Sequence, residues 1–107
     1  MLSLNKRFNK TDRIWLYSDP RIAEHKAKQY LGKGVILFRS ETKTKKYLVR
    51  DPLTNKLINF GQMGYQDFTK HKDEARRINY LDRTEKIRGN WKANKYSPNN
   101  LSRNILW

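Results

Sequence analysis

Cysteine is absent from the 107 residues. With it go disulfides, thiolate metal ligands and cysteine nucleophiles. Proline (3) and glycine (5) are scarce, so the chain is neither a repetitive nor a linker-like sequence. No stretch approaches the roughly 18 apolar residues of a membrane-spanning helix. The first nine residues, Met1 to Asn9, are polar and basic without an apolar core, so a secreted protein is not expected. Acidic residues are the scarcest class relative to their opposite. There are 10 Asp and Glu against 24 Lys and Arg, a formal net charge of +14.

That excess is spread along the chain. Residues 1–33 carry 8 basic and 3 acidic side chains, residues 34–66 carry 6 and 2, and residues 67–107 carry 10 and 5. A basic tail on a neutral domain would be uneven, so here the folded body itself is positive. Such a body repels itself, and the usual partner that offsets the repulsion is a polyanion. The length suits one domain with a modest core. The hydrophobic fraction is 36 %, below the ~45–50 % of typical soluble domains. Three Trp, six Tyr and four Phe are distributed throughout, and rings of about 150–250 Å² each supply a core where aliphatic residues are few.

Local signals divide the chain. Arg13–Tyr17 is expected as a short strand or an arm anchored by Trp15. Ser18-Asp19-Pro20 opens a helix, with Asp19 able to cap and Pro20 suited to the first turn. Ile22, Ala23, Ala27, Tyr30 and Leu31 then form one apolar stripe, ended by Gly32 and Gly34. Val35–Phe38 is a short β-rich run that predicts a buried strand over about 35–40. Tyr47–Arg50 and Leu57–Phe60 are two further strands, the turn Asp51–Asn55 lying between them. From Asp67 the period becomes helical up to about Glu85, with Phe68, His71, Ala75, Ile78 and Leu81 as the expected core face and an Asp73–Arg77 pair along it. Ser97-Pro98 opens a short terminal helix carrying Leu101 and Ile105.

The expected fold is α+β: a small three-stranded antiparallel meander flanked by two helices, with an Asn-rich C-terminal arm. Residues 1–17 are expected as a basic N-terminal arm and 18–88 as the core domain. Residues 89–107 form an arm that packs on the core or on a partner.

Four constellations bear on function. Lys70, Lys72, Arg76, Arg77 and Arg83 cluster on the long helix with Tyr80 among them, and arginine and lysine grip phosphates while tyrosine stacks on bases. An ordinary domain would use the same residues as a solvated face paired with Asp73, Glu74 and Asp82. Lys43, Lys45 and Lys46 form a basic strand connection that grips a backbone, or merely keeps a hairpin soluble. Trp91, Tyr96, Leu106 and Trp107 are expected to pack on the sheet or on a partner. His25 and His71-Lys72-Asp73 lack the spacing of a metal or nuclease motif. No catalytic residue, metal site or cofactor is therefore expected, and a small metal-dependent nuclease is only the third reading, one that would require convergent carboxylates.

The stretch Gly64-Tyr65-Gln66-Asp67-Phe68-Thr69-Lys70-His71-Lys72-Asp73, followed by Arg76-Arg77, Tyr80-Leu81-Asp82-Arg83, Trp91, Ser97-Pro98 and Leu106-Trp107, resembles a family of short basic proteins encoded by nucleocytoplasmic large DNA viruses. Members share an Asp-[Phe/Tyr]-Thr-x-His-x-Asp entry to a helix, Arg…Tyr…Arg within it, and a Leu-Trp ending. Residues 34–61 resemble the strands that precede the motif there. Thr84 stands where many relatives carry His. The resemblance implies a viral, virion-associated protein and brings no activity with it. The expected function is thus non-enzymatic binding of nucleic acid, DNA above all, for genome compaction or inner-shell lining, in the virion or the infected cell's interior. The alternative is a minor capsid or scaffold protein whose basic surface meets acidic capsid or core proteins.

Overall fold

The computed structural model describes residues 4–107. Helix α1 (Leu4–Arg7) and a 3₁₀ turn at Arg13–Leu16 precede α2 (Pro20–Leu31). Three strands follow, β1 (Phe38–Arg39), β2 (Lys45–Arg50) and β3 (Leu57–Gln62), then α3 (Phe68–His71) and α4 (Glu74–Glu85). A 3₁₀ turn at Trp91–Ala93 leads to α5 (Pro98–Leu101), which runs on into a wider turn at Ser102–Leu106. The architecture is α+β, with a three-stranded antiparallel sheet in the order β1-β2-β3 flanked by helices.

The start of α2 follows from its residues. The Asp19 side chain accepts from the Arg21 N–H, and Pro20 sits where a missing donor costs nothing. Ala23 and Ala27 are fully buried, and their small side chains let α2 lie against the Ser102–Leu106 segment. In the sheet Tyr47 stands opposite Phe60 and Val49 opposite Ile58. Tyr47, Val49 and Phe60 are fully buried. Around them close Phe8, Ile14, Leu37, Leu101, Ile105 and Leu106, so both flanks of the chain contribute to one core. Gly61 makes that closure possible. Its φ is +82°, and a Cβ there would lie 2.8 Å from Leu106 Cδ1.

Four expectations are corrected. Only Phe38 and Arg39 of the run at 35–40 pair with β2; Leu37 is buried, while Val35 and Ile36 are half-buried outside the ladder. Arg13–Leu16 is a 3₁₀ turn in place of a strand, because Asp12 caps it through the Ile14 N–H. Trp15 does anchor this region, donating its indole N–H to the Asn9 carbonyl at 2.9 Å. The helix expected over 68–85 breaks at Lys72, which adopts φ +54°. There Asp73 starts a new helix by accepting from the Ala75 and Arg76 N–H groups. The break turns the inner face. Ala75 is exposed and Ile78 is 51 % exposed, while Arg77, Tyr80, Leu81 and Thr84 face inward. Arg77 pairs with Glu74 at 2.8 Å instead of with Asp73.

Leu106 bridges the sheet and the C-terminal turn and is 1 % exposed. Leu106→Ala should therefore lower the unfolding free energy by about 2–5 kcal/mol in urea titration. A loss under about 0.5 kcal/mol, as for a surface change, would contradict this packing.

Candidate nucleic-acid interface

A buried polar chain sets the position of the loop before α3. The Lys46 ammonium donates to the Tyr65 carbonyl at 2.7 Å and to Asp67 Oδ2 at 3.1 Å. Asp67 Oδ1 caps α3 by accepting from the Thr69 N–H at 3.0 Å, and it also accepts from the Thr69 hydroxyl. Because Thr69 spends its proton on Asp67, the Ser18 hydroxyl must donate to Thr69 Oγ1, 3.0 Å away. Ser18 in turn accepts from the Tyr47 hydroxyl at 2.6 Å, and the Asp19 N–H donates to Thr69 Oγ1 at 2.9 Å. Burial pushes Lys46 below its ordinary 10.5, and the adjoining Asp67 carboxylate opposes that. Burial likewise holds the Tyr47 phenol well above 10.0.

Above this chain lies a cleft of about 660 Å³. One wall is α4, with Arg76, Asn79 and Arg83 on it at helical spacing. Gln62 at the end of β3, with Tyr65 and Gln66 of the loop after it, forms another wall. The floor is Gly61, Ser102, Leu106 and Trp107, with Lys46 and Tyr80 at its sides. Among the described residues no Asp or Glu side chain lines the cleft. Among the described residues Arg76 and Arg83 have no ion-pair partner, whereas Arg77 and Arg103 are held by Glu74 and Glu85. Two unneutralised guanidiniums therefore share one concave surface.

Tyr80 and Trp107 stack with centroids 4.1 Å apart and planes 10° from parallel. The Arg83 guanidinium lies 5.5 Å from the Tyr80 centroid. Arg77 Nε donates to the Trp107 carbonyl at 2.7 Å, fixing the segment that carries the indole. Burial raises Tyr80 above 10.0 against a hydrogen bond with Ser102. On the other side of Trp107, the His71 ring sits 5.1 Å away. His71 Nδ1 accepts from the Asp73 N–H at 2.9 Å, so the neutral ring carries its proton on Nε2, which is buried without a partner among the described residues.

The structure thus gathers Arg76, Tyr80, Arg83, Lys46, Leu106 and Trp107 into one place and leaves the other expected residues elsewhere. Lys70 and Lys72 are exposed beside the break before α4, and Lys43 is exposed in the turn before β2. Lys45 stands opposite Gln62 across the sheet. Two roles are corrected. Lys46 is 2 % exposed and spent on Asp67, so it offers no phosphate contact. One face of Tyr80 is covered by Trp107, so it is a packing residue of the cleft rather than a free stacking platform. Trp91 and Tyr96 do not line the cleft: Trp91 donates to the Ile87 carbonyl, and Tyr96 joins Leu31, Val35 and Leu57 along a separate groove. Thr84 is buried, donating to the Tyr80 carbonyl and accepting from Arg103. Sequence reasoning missed Tyr65, Gln62, Gln66 and Asn79. The signal available was Gly64-Tyr65, an aromatic beside a glycine that takes φ +93°. Among the described residues, no His, Cys, Asp or Glu cluster is placed to hold a metal, and no helix is long and apolar enough to cross a membrane.

Two stability experiments follow. Lys46→Ala would leave Asp67 as an uncompensated buried charge, and should cost about 3–5 kcal/mol in chemical unfolding; an unchanged midpoint would contradict the pair. For His71, burial first and Arg76 second hold the pKa below 6.5. The folded state therefore binds fewer protons than the unfolded one. Its contribution is complete above 6.5 and is lost as pH falls from there through the lowered value. Unfolding measured across that window should show this loss in the parent and not in His71→Gln.

Residues 35–84 match a family of unknown function, DUF5754. The match includes the strands, the buried Lys46–Asp67 pair and the α4 wall of the cleft, and leaves out Ser102, Leu106 and Trp107 of its floor. No curated protein matches this chain, and no solved structure does.

Proposed function

We propose that the protein binds nucleic acid through phosphate contacts, without catalysis and without reading sequence. The observation that carries this is the cleft itself, where among the described residues Arg76 and Arg83 stand without ion-pair partners and no Asp or Glu side chain shares the lining. Each carboxylate that pairs on α4, Glu74 and Glu85, is engaged with Arg77, Lys92 or Arg103. Lys70, Lys72, Lys43 and Lys45 extend the positive surface and add contacts to a long polyanion. Phosphates bound there release condensed counterions, which is the main source of affinity for such proteins. The +14 charge acts in the same direction by steering association.

DNA is the favoured ligand, and the resemblance to short basic proteins of large DNA viruses supports a virion setting such as genome compaction or inner-shell lining. The bridging role between capsid proteins would need free aromatic side chains in the C-terminal segment. Leu106 is buried there and Trp107 is stacked on Tyr80, which leaves half-buried Trp91 and Tyr96 to carry that second reading.

Fluorescence anisotropy against labelled DNA over a salt series tests the proposal. Arg76→Glu with Arg83→Glu should weaken binding and flatten the slope of log K against log salt by about 2, roughly 1 per lost contact. Lys43→Glu with Lys45→Glu should do less, since neither lines the cleft. No binding at low salt, or equal losses from both pairs, would overturn the assignment to this cleft.

A further inference from the structure

Duplex DNA presents phosphates on a rod and keeps its base faces stacked inside. A surface that met only the duplex backbone would need phosphate ligands and no exposed aromatic face. The cleft holds more than that. Tyr65 on its rim is 71 % exposed, and among the described residues no ring or cation lies against it. Its backbone is nonetheless fixed, because the buried Lys46 ammonium holds the Tyr65 carbonyl at 2.7 Å. The ring is thus an unpartnered apolar face carried on a held main-chain position. The same cleft is lined by the guanidiniums of Arg76 and Arg83 and by the amides of Gln62 and Asn79. Carboxamides carry both a donor and an acceptor, and so fit the mixed edges of unpaired bases as well as phosphate oxygens. The volume of about 660 Å³ lies within the roughly 300–1,000 Å³ range of sites that enclose a small organic group.

We infer that the cleft takes an unstacked nucleotide of a single strand, with its base against Tyr65 and its flanking phosphates on Arg76 and Arg83. The inference rests on the nucleic-acid reading above and adds a strand preference to it. Stacking of a base on an aromatic ring tolerates every base, so the preference carries no sequence code. Tyr65 is a ligand-facing residue here, whereas Lys46 acts through it as a positioning residue.

The test compares a labelled oligothymidylate with a hairpin duplex of equal phosphate number, at one low salt concentration. The parent should bind the single strand more tightly. Tyr65→Ala should weaken the single strand about 5- to 100-fold, the range set by loss of one base–aromatic stack, and leave the duplex unchanged. Tyr65→Phe keeps the ring and should retain single-strand affinity. Because Tyr65 is exposed, both variants keep the fold, which circular dichroism checks. Equal losses on both ligands, or no loss on the single strand, would overturn the stacked nucleotide while leaving the basic cleft in place. Failure of the parent to bind either ligand would overturn the cleft's assignment to nucleic acid as well.

Discussion

The buried pair between Lys46 and Asp67 is the constraint on which the rest of the molecule depends. Their side chains are 3 % and 0 % exposed, so neither charge is stabilised by water and each relies on the other. Through Tyr65, the lysine fixes the loop that forms one wall of the cleft. Through Thr69, Ser18 and Tyr47, the aspartate fastens the start of α3 to the start of α2 and to β2. Three elements distant in sequence meet on one carboxylate. A highly basic chain thereby spends one lysine inside to shape the surface that its arginines outside can use.

Four further acids are deployed in a related way. Asp12 holds Arg39, Glu24 holds Arg7 and Lys28, Glu74 holds Arg77, and Glu85 holds Lys92 and Arg103. Most of these pairs tie flanking segments to the body. None involves the two arginines of the cleft. Exposed pairs contribute little individually, so their larger effect is on where positive charge is left unbalanced. The cleft is such a place, and its floor is completed by the Tyr80–Trp107 stack.

Much of the fold was legible because it is written locally. Asp19-Pro20 marks a helix start by capping chemistry, and the two longer strands carry β-rich residues between a turn and a glycine. The break at Lys72 was not legible from periodicity, because Asp73 outcompetes helix continuation by capping the next turn, a choice that apolar spacing does not record. Arg76 and Arg83 were legible from charge alone as candidates for phosphate contact, the role proposed for them here. Lys46 was misplaced because lysine composition predicts exposure, and only the distant Asp67 makes its burial tolerable. Tyr80 was misassigned for a similar reason: its partner Trp107 lies 27 positions on and packs there only after the C-terminal segment has closed over Gly61. Tyr65 went unnoticed since a lone aromatic in a turn has no pattern.

The central claim is that one cleft, bounded by α4 and the loop at 62–66, is the surface that meets a nucleic acid. Amide chemical shifts of the labelled protein, followed during titration with a short oligonucleotide, test it most directly. The account predicts that shifts concentrate at Gln62, Tyr65, Gln66, Arg76, Asn79, Arg83 and Trp107, with the groove around Leu31, Val35 and Leu57 unmoved. Shifts spread evenly over the lysines of the whole surface, or gathered in that second groove, would contradict it.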